Sequence, residues 1–318
     1  MRLLQVCNVG RIVGGTAACA WTVTRALPDC EHHVAFLSSV TDDTARVFQP
    51  HRRHQWRSVD DDAVRRIRPD VVLLHNVSGD RCSRIRSAWT VQYVHSRGRR
   101  AAADRTLFCS RWLAKECKSS GRDATTRVLH QAVPKPPRPL QDERRELRET
   151  PVVGRLCTPG DAKWPKTLLP FYSRLAASHR NVDWEFVGCP EGMQRPLAEA
   201  CHGRVRFLAA SWEARRHLWR WDAVLYHHPT LTESFGRIVA EAMRAGCVPI
   251  VDARGGFLEQ VTPETGWLCA SASEFDVALA ALSCRTRWRT MSRAALAHAD
   301  DVFSLARFRR DLLTRLCD

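Results

Sequence analysis

One stretch, residues 222–256, constrains the fold of this chain more than any other. It reads DAVLYHHPTLTESFGRIVAEAMRAGCVPIVDARGG and has the order strand, loop, helix, strand, loop. Gly246 stands where a helix C-terminus favours glycine, and the apolar run 248–251 is typical of a buried parallel strand. A helix that follows a parallel strand brings backbone N–H groups to the carboxyl edge of the sheet, where ligands bind in open α/β folds.

The same alternation of strands and helices runs through both halves of the 318-residue chain. A chain of this length suggests two domains of ~150 residues each. The predicted fold class is therefore α/β, with two Rossmann-like domains facing a cleft, and clefts between domains are favoured ligand sites. Strands are predicted at 2–10, 33–38, 71–76, 90–95, 105–109 and 126–130 in the first half, and at 152–156, 184–188, 205–208, 222–227 and 248–251 in the second.

A proline-rich segment, PKPPRP at 134–139, indicates an extended linker, and the charged stretch 142–149 follows it. Residues 303–317 have the apolar spacing of an amphipathic final helix. The predicted boundaries are an N-terminal domain at 1–135, a linker at 136–150, a C-terminal domain at 151–302 and the final helix at 303–318.

The composition indicates the redox environment and the location of the protein. The chain has 13 cysteines without a C-x-x-C pair, and Cys7, Cys157 and Cys247 fall in apparent strands or helices. Buried reduced thiols are the expected state, which indicates a reducing cytoplasm. The sequence has no apolar run of membrane-spanning length and no signal-peptide pattern, so we expect a cytoplasmic protein.

The net charge of +15 has two interpretations. Only five of the 49 basic residues are lysine, a bias that fits a genome favouring arginine codons. A basic surface also attracts anions such as nucleic acid, acidic lipid or a nucleotide sugar. Both interpretations stay open at this stage.

Glu233 and Glu241 are the most informative candidate site residues. A carboxylate can accept hydrogen bonds from two neighbouring sugar hydroxyls, one on each oxygen. The alternative is that Glu233 is only an acid favoured by a helix N-terminus, and that Glu241 is a solvated helix residue. We place Glu233 in the loop that opens the helix at 233–236 and Glu241 further along that helix.

The order Glu233-Ser234-Phe235-Gly236, Glu241-Ala242-Met243, Gly246, Pro249, Gly255-Gly256 and Glu259 resembles the E-x7-E region of family 4 retaining glycosyltransferases, which have the GT-B fold. The resemblance covers most of the chain and is densest from Val152 to Trp267. Gly154-Arg155 is similar to the family's G-R motif. Val187-Gly188, Gly14-Gly15 and Ser110-Arg111 resemble further family segments, and the final helix resembles one that crosses back to the N-terminal domain.

This resemblance implies roles for individual residues. Glu241 would bind the ribose hydroxyls of a nucleotide, Glu233 would contact the donor sugar, and His95 would lie near the reacting carbon and form a hydrogen bond with the donor substrate. Backbone N–H groups of the helix N-terminus would meet the sugar or phosphate. The implied catalytic set is His95, Glu233, Arg155 and Lys163, and the implied donor-binding set is Gly14, Gly15, Gly188, Ser234, Phe235, Gly236, Glu241 and Lys166.

The lysine that would join Arg155 at the pyrophosphate is ambiguous. The segment GDAKWPK at 160–166 holds both Lys163 and Lys166, with Lys163 favoured by its D-x-K-W context. A fixed cation stabilises the negative charge that grows on a leaving diphosphate. The alternative is that both lysines are ordinary surface residues.

For other polar groups, a structural role is an alternative to a role in the site. His95, and more weakly His75 and Asn76, are either cleft-facing residues or hydrogen-bonded structural ones. The acidic run 60–62 precedes a helix, so N-capping explains it without a metal. The basic loop SRGRR at 96–100 fits an anionic acceptor or membrane surface, or a solvated loop.

The predicted function is a metal-independent, retaining glycosyltransferase that uses a nucleotide-diphosphate sugar and no other cofactor. Its acceptor would be a small molecule, a lipid or a glycan, with no specific nucleic acid partner and a peripheral contact with the inner membrane face left open. The alternatives are a polyanion- or nucleic-acid-binding protein on a degenerate transferase scaffold, and a sugar-nucleotide epimerase or phosphorylase of the same fold.

Overall fold

A computed structural model describes residues 1–98, 100–118, 127–138 and 147–317. The chain divides into two compact units: an N-terminal unit, Met1–Val133 with Phe303–Asp318, and a C-terminal unit, Pro134–Val302. Most of the predicted charged stretch, the last residue of the proline-rich segment, Arg99 of the basic loop and Thr126 of the sixth predicted strand lie outside the described residues.

The described part of the N-terminal unit contains a parallel sheet of seven strands. Its strands are β1 (Arg2–Cys7), β2 (Glu31–Phe36), β3 (Arg52–Gln55), β4 (Val71–His75), β5 (Trp89–Val94), β6 (Arg105–Phe108) and β7 (Arg127–Val128), in the spatial order β3-β2-β1-β4-β5-β6-β7. Its helices before the linker are α1 (Gly15–Ala26), α2 (Asp42–Val47), α3 (Asp61–Ile67) and α4 (Arg111–Lys118).

Local chemistry explains how two of these helices begin. The Asp60 side chain accepts a hydrogen bond from the Ala63 N–H at the start of α3. The Ser110 hydroxyl does the same for Leu113 in α4, at 3.0 Å. Both N-caps confirm the sequence prediction.

The C-terminal unit repeats the architecture with a parallel sheet of six strands in the described residues. Its strands are β8 (Val152–Leu156), β9 (Asp183–Val187), β10 (Val205–Leu208), β11 (Ala223–Tyr226), β12 (Val248–Asp252) and β13 (Trp267–Cys269), in the order β10-β9-β8-β11-β12-β13. Its helices are α5 (Leu168–Ser178), α6 (Glu191–Ala200), α7 (Arg237–Arg244), α8 (Ala272–Leu282) and α9 (Arg285–Val302). Residues Trp212–Arg220 and Gly255–Glu259 form 3-10 helices.

The final helix, α10 (Leu305–Cys317), belongs to the N-terminal unit and packs against α1. Arg309 fixes it there with hydrogen bonds to the Ala26 carbonyl at 3.1 Å and the Asp29 carboxylate at 2.8 Å. The helix therefore returns to the first unit, as the resemblance implies. Within the described ranges, no helix has the length and apolarity needed to cross a bilayer.

The twelve cysteines whose side chains the structure describes are free thiols, and nine of them are buried. Cys7, Cys157 and Cys247 are among the buried ones, which confirms the predicted small apolar role. Burial raises the pKa of the Cys82 thiol to about 11, so this side chain stays protonated at neutral pH.

Candidate active site

The segment that precedes α7 is a loop rather than the first turn of a helix. The sequence analysis places Glu233 in the loop that opens the helix, and α7 itself begins at Arg237. Gly236 is the N-cap and has φ 83°, a left-handed conformation that side chains other than glycine rarely adopt. A Cβ on Gly236 would also lie 2.2 Å from a Phe257 ring carbon. Close packing against Phe257 therefore delays the helix and leaves Glu233 in an irregular loop.

This loop is held by the glycine-rich segment after β12. The Gly256 N–H donates to the Glu233 carbonyl at 2.9 Å, and the Gln260 side chain donates to the Phe235 carbonyl. Phe235 is buried, and Ser234 is half-buried beside it. The Val239 N–H bonds to the Gly236 carbonyl at 3.0 Å, and N–H groups at the start of a helix are in general suited to bind an anionic or hydroxyl oxygen.

Glu233 forms an ion pair with Lys163 near the carboxyl edge of the sheet. The contact joins Lys163 Nζ to Glu233 Oε1, and the two side chains are 27% and 20% exposed. The Tyr226 hydroxyl donates to the same oxygen. Burial, with the nearby Cys157 and Glu233 groups, raises the Tyr226 pKa, so the phenol remains a hydrogen-bond donor. Within the described residues, Glu233 Oε2 takes part in no hydrogen bond or ion pair, so it can accept a hydrogen bond from a ligand hydroxyl.

The structure distinguishes the two candidate lysines. Trp164 is buried, and its backbone N–H donates to the carbonyls of Gly160 and Asp161. These bonds fix the turn that carries Lys163 toward Glu233. Lys166 lies on the exposed side of the same segment, and its ammonium group has no partner in the described part of the chain. Geometry therefore favours Lys163, while Lys166 remains a surface residue.

Arg155 occupies a different position from the one that the sequence analysis gives it. Its side chain is 0% exposed, so its guanidinium does not face a ligand. One N–H donates to the His227 carbonyl at 2.6 Å and another to the Lys163 carbonyl at 2.9 Å. The rings of Trp164 and Tyr226 lie 5.0 and 4.8 Å from the guanidinium carbon. Arg155 thus ties the backbone beside Lys163 to the end of β11.

His228 makes a second tie between the same segments, and the sequence analysis did not identify it. Its Nε2–H donates to the Ala162 carbonyl at 2.9 Å. Its Nδ1 accepts the N–H groups of Thr230 and Leu231 at 3.2 and 2.8 Å. These partners require the neutral Nε2–H tautomer, and burial lowers the His228 pKa, which favours that form.

Asp252, at the end of β12, holds the backbone of this region from the other side. Its carboxylate accepts from the His228 N–H at 2.8 Å, contacts His227 Nδ1 at 2.7 Å and pairs with Arg254 at 3.0 Å. Polar residues at strand ends were the only sequence signal for this network. The predicted strand at 222–227 includes His227, and the sequence analysis gives neither His227 nor His228 a role in the site.

Glu241 lies inside α7 and is buried. Arg237 approaches its Oε1 at 3.4 Å, one helical turn away. Burial lowers the pKa of the Arg215 side chain. The negative charge of Glu241 acts in the opposite direction and raises that pKa. The second carboxylate oxygen has no contact among the described residues. Glu241 is therefore a charge-balanced acid with one open acceptor, rather than the solvated helix residue of the alternative interpretation.

In the N-terminal unit, His95 belongs to a buried hydrogen-bonded chain. The Gln131 amide donates to His95 Nδ1 at 2.8 Å, His95 Nε2 faces His75 Nδ1 at 3.1 Å, and His75 Nε2–H donates to Gln5 Oε1 at 2.9 Å. Burial lowers the His75 pKa to about 3, so the chain is uncharged. Both ring nitrogens of His95 already have protein partners, unlike the free donor that the resemblance implies.

The same histidines belong to the only group of potential metal ligands found among the described residues, together with Cys19. The ligand atoms of the three side chains lie within 4.8 Å of one another. The two imidazole rings are nearly coplanar, at 7°, and their centroids are 5.4 Å apart. This separation equals the N···N distance plus the two ring radii, so the nitrogens point at each other in a linear hydrogen bond rather than toward a shared ion.

The predicted glycines lie at turns of both units. Gly14 is the N-cap of α1 and Gly15 is its first residue. Gly188 follows β9 with φ 79°, and a Cβ there would lie 2.1 Å from the Cys157 carbonyl oxygen. These positions explain the glycines by packing and by the start of a helix.

The chain is similar in sequence and in fold to known glycosyltransferases. A family model described as Glycosyl transferases group 1 matches residues 150–285. The structure is similar to that of Anabaena Alr3699/HepE, solved with UDP and glucose, with 16% identity, a TM-score of 0.77 and coverage of 100% of both chains. It is also similar to a glycosyltransferase from Rickettsia africae ESF-5, with 12% identity, a TM-score of 0.74 and coverage of 99% of this chain and 97% of that one.

Sucrose-phosphate synthase from Thermosynechococcus elongatus has 13% identity and a TM-score of 0.73, with coverage of 99% of this chain and 98% of that one. No curated protein sequence matches this chain. Residues 150–285 therefore match the group 1 glycosyltransferase family, and the chain as a whole has the two-unit α/β fold of GT-B glycosyltransferases.

Proposed function

We propose that this protein is a retaining glycosyltransferase that moves a sugar from a nucleoside diphosphate sugar to an acceptor hydroxyl without a metal ion. One observation carries the proposal, the half-buried pair of Lys163 and Glu233 beside the start of α7. A transferase of this kind needs a cation for the leaving diphosphate and an acceptor for sugar hydroxyls. The pair supplies both in one place.

Lys163 supplies the positive charge in this proposal. An ammonium group has three donors, and one of them is directed at Glu233, which leaves two for phosphate oxygens. A cation fixed where water is partly excluded stabilises the charge of a leaving diphosphate strongly. Arg155 acts through the carbonyl of Lys163 and keeps the lysine in position.

Glu233 and Glu241 divide the recognition of the donor. Glu233 Oε1 is occupied by Lys163 and Tyr226, so Oε2 accepts a hydroxyl of the donor sugar. Glu241 accepts hydrogen bonds from the ribose hydroxyls of the nucleotide. The ion pair with Arg237 partly neutralises the negative charge of Glu241. The N–H groups at the start of α7 bind the donor phosphate or sugar.

The reaction proceeds on one face of the sugar. The acceptor hydroxyl attacks from the side on which the diphosphate leaves, and a phosphate oxygen of the leaving group takes the hydroxyl proton. The new glycosidic bond forms as the bond to the diphosphate breaks, so the anomeric configuration is retained. The protein contributes positioning and charge stabilisation.

The direct test is a thermal-shift screen of nucleoside diphosphates and nucleotide sugars, followed by calorimetry. Because structural neighbours were solved with UDP and UDP-glucose, the uridine compounds come first. We expect one nucleoside diphosphate to stabilise the protein and Glu241→Ala to weaken its binding about tenfold, the effect of losing a charge-assisted hydrogen bond. Unchanged affinity in Glu241→Ala would remove the ribose role.

Two further outcomes bear on the mechanism. Turnover should persist in the presence of a chelator, and NMR of the product should show the anomeric configuration of the donor sugar. Strong inhibition by chelator would overturn metal independence, and an inverted product would overturn retention. Salt-dependent DNA binding without any nucleotide binding would instead favour a polyanion-binding protein on a transferase scaffold.

A further inference from the structure

The positive charge of the chain is concentrated in the N-terminal unit. That unit has 26 basic and 14 acidic residues, a net charge of +12, whereas the C-terminal unit has 23 and 20, a net charge of +3. A genome-wide preference for arginine would raise both units alike. The C-terminal unit, which is proposed to bind the donor diphosphate, has nearly equal numbers of basic and acidic residues. Binding of the donor therefore does not explain the excess of positive charge in the N-terminal unit. The N-terminal unit therefore carries charge suited to a second anionic ligand.

A cavity of about 300 Å³ lies at the carboxyl edge of the N-terminal sheet. Its lining includes Asn8, which follows β1, Asn76, which follows β4, and Ser96, which comes two residues after β5. The carboxyl ends of parallel strands are where open α/β sheets bind ligands. The volume is at the lower end of small-molecule sites and suits about one sugar ring.

Three arginines and one aspartate give this cavity its charge. Arg81, Arg97 and Arg100 line it together with Asp80. Arg97 is paired with Glu116. The guanidinium of Arg81 is held by the carbonyls of Leu37 and Arg57, and that of Arg100 lies 5.4 Å from the Phe108 ring centroid.

Two of these positive charges lack a carboxylate partner. No acidic side chain in the described residues pairs with Arg81 or Arg100. Backbone carbonyls and an aromatic ring orient a guanidinium without cancelling its charge. The cavity is therefore a preformed cationic site with capacity for an oxyanion.

The same cavity offers partners for hydroxyl groups. Asn76 has a left-handed backbone, φ 57°, and its side chain donates to Ser96 Oγ at 2.7 Å and accepts from the N–H groups of His95 and Ser96. These bonds fix the ends of two strands relative to each other. Asn8 Oδ1 is buried and has no hydrogen-bond donor among the described residues, a state that a sugar hydroxyl would satisfy.

We infer that this cavity binds the acceptor, and that the acceptor is a sugar carrying a carboxylate or phosphate group. Arg81, Arg97 and Arg100 bind the oxyanion, and Asn8 accepts a hydroxyl of the sugar ring. The inference deepens the proposed transferase and rests on it for the role of acceptor. The binding of an anionic sugar can be measured without the donor.

The test is calorimetry on the full chain with glucose, glucuronate and glucose 6-phosphate. An anionic sugar should bind at least about tenfold more tightly than glucose, since a hydrogen bond to a charged group accounts for that factor. The double variant Arg97→Gln/Arg100→Gln should lose about tenfold in affinity for the anionic sugar. The control Arg84→Gln/Arg310→Gln removes the same charge from exposed positions of the same unit, outside the cavity lining, and should change affinity less than about twofold.

Three results would overturn the inference: equal affinity for glucose and the anionic sugars, equal losses in the two double variants, or binding only to phosphatidylcholine vesicles that contain phosphatidylglycerol. The last would assign the charge to a lipid surface. If the double variant fails to fold, Arg100→Gln carries the test, because Arg100 has no ion pair to lose. Binding of an anionic sugar without binding of any nucleotide would contradict the proposed transferase function and support the anion site. Binding of a nucleotide without binding of an anionic sugar would contradict only the anion site.

Discussion

The two units bury their polar side chains in opposite ways. In the N-terminal unit, Gln5, His75, His95 and Gln131 form an uncharged chain. In the C-terminal unit, Arg155, Lys163 and Glu233 are charged and sit around Tyr226. Yet the N-terminal unit has the larger net charge, +12 against +3. The net charge of a unit therefore does not show whether the polar side chains in its interior are charged or neutral.

This contrast predicts different sensitivities. An uncharged buried chain is disrupted by protonation, because a new charge there has no counter-ion. A charged network is disrupted by the loss of one member, because the remaining groups are left without partners. Changes of pH and single substitutions therefore separate the two units.

The largest expected effect comes from Arg155. Arg155→Met removes the donors of two partly buried carbonyls, those of Lys163 and His227, and should lower the free energy of unfolding by about 3 kcal/mol. Urea denaturation measures this loss. Arg206→Met, at an exposed position of β10, is the matched control and should change stability by less than about 0.5 kcal/mol. Equal stability of the two variants would show that the buried arginine is dispensable.

The charged pair should give the next largest effect. Lys163→Ala should lower turnover about a hundredfold, as the loss of one group that stabilises the leaving charge does in other sites. Glu233→Ala should lower turnover by a similar factor, because it removes both the acceptor for the donor sugar and the partner that holds Lys163. Release of nucleoside diphosphate is the measurement. Lys166→Ala removes the same charge from the exposed side of the same segment and should leave turnover within about twofold. A large loss in Lys166→Ala would move the role to that residue.

The uncharged chain provides a pH test. Burial lowers the His75 pKa from 6.5 to about 3, so the unfolded chain binds a proton that the folded chain excludes between these values. Stability is therefore lost as the pH falls below about 6.5, and His75 alone should account for about 2 kcal/mol between pH 7 and pH 5.

His75→Gln should reduce that pH-dependent difference in unfolding free energy, whatever its effect on stability at pH 7. His202→Asn is the control, because His202 is exposed and its left-handed backbone, φ 53°, tolerates asparagine. A pH dependence that is the same in wild type and His75→Gln would mean that His75 is not the buried neutral group.

Much of the fold could be predicted from the alternation of apolar runs, whereas edge elements could not. The strand β3 has the sequence RRHQ and lies at the edge of its sheet, so it lacks the apolar pattern of a buried strand. The apolar spacing predicts a helix at 212–219, and the structure has a 3-10 helix at Trp212–Arg220, a helix type that side-chain spacing does not specify over such a length.

The candidate site was predictable in its residue types and less so in its contacts. Strand-end position placed Arg155 and Glu233 near the same edge. Only packing could show that Trp164 and Tyr226 enclose Arg155, and that Glu233 is the partner of Lys163. The local D-x-K-W context favours Lys163 over Lys166, but it carries no information on which groups the Lys163 ammonium contacts.

The smallest predicted effect separates the two bonds of His228. His228→Gln places an amide nitrogen near the position of Nε2 and can keep the bond to the Ala162 carbonyl. His228→Asn places its amide near Nδ1 and can keep an acceptor for Thr230 and Leu231. If the tie to Ala162 positions Lys163, the asparagine variant should lower kcat/KM about fivefold, which corresponds to about 1 kcal/mol, and the glutamine variant should lower it less.

The pH profile distinguishes this positioning role from a general loss of stability. Burial lowers the His228 pKa, so wild-type kcat/KM should fall on acidification as Nδ1 gains a proton and can no longer accept the two N–H groups. His228→Gln cannot titrate and should lose this contribution to the acid limb. Two results together would contradict this role: a kcat/KM profile of His228→Gln that falls on acidification as the wild-type profile does, and equal kcat/KM in the two variants. They would show that His228 only supports the loop and does not position Lys163.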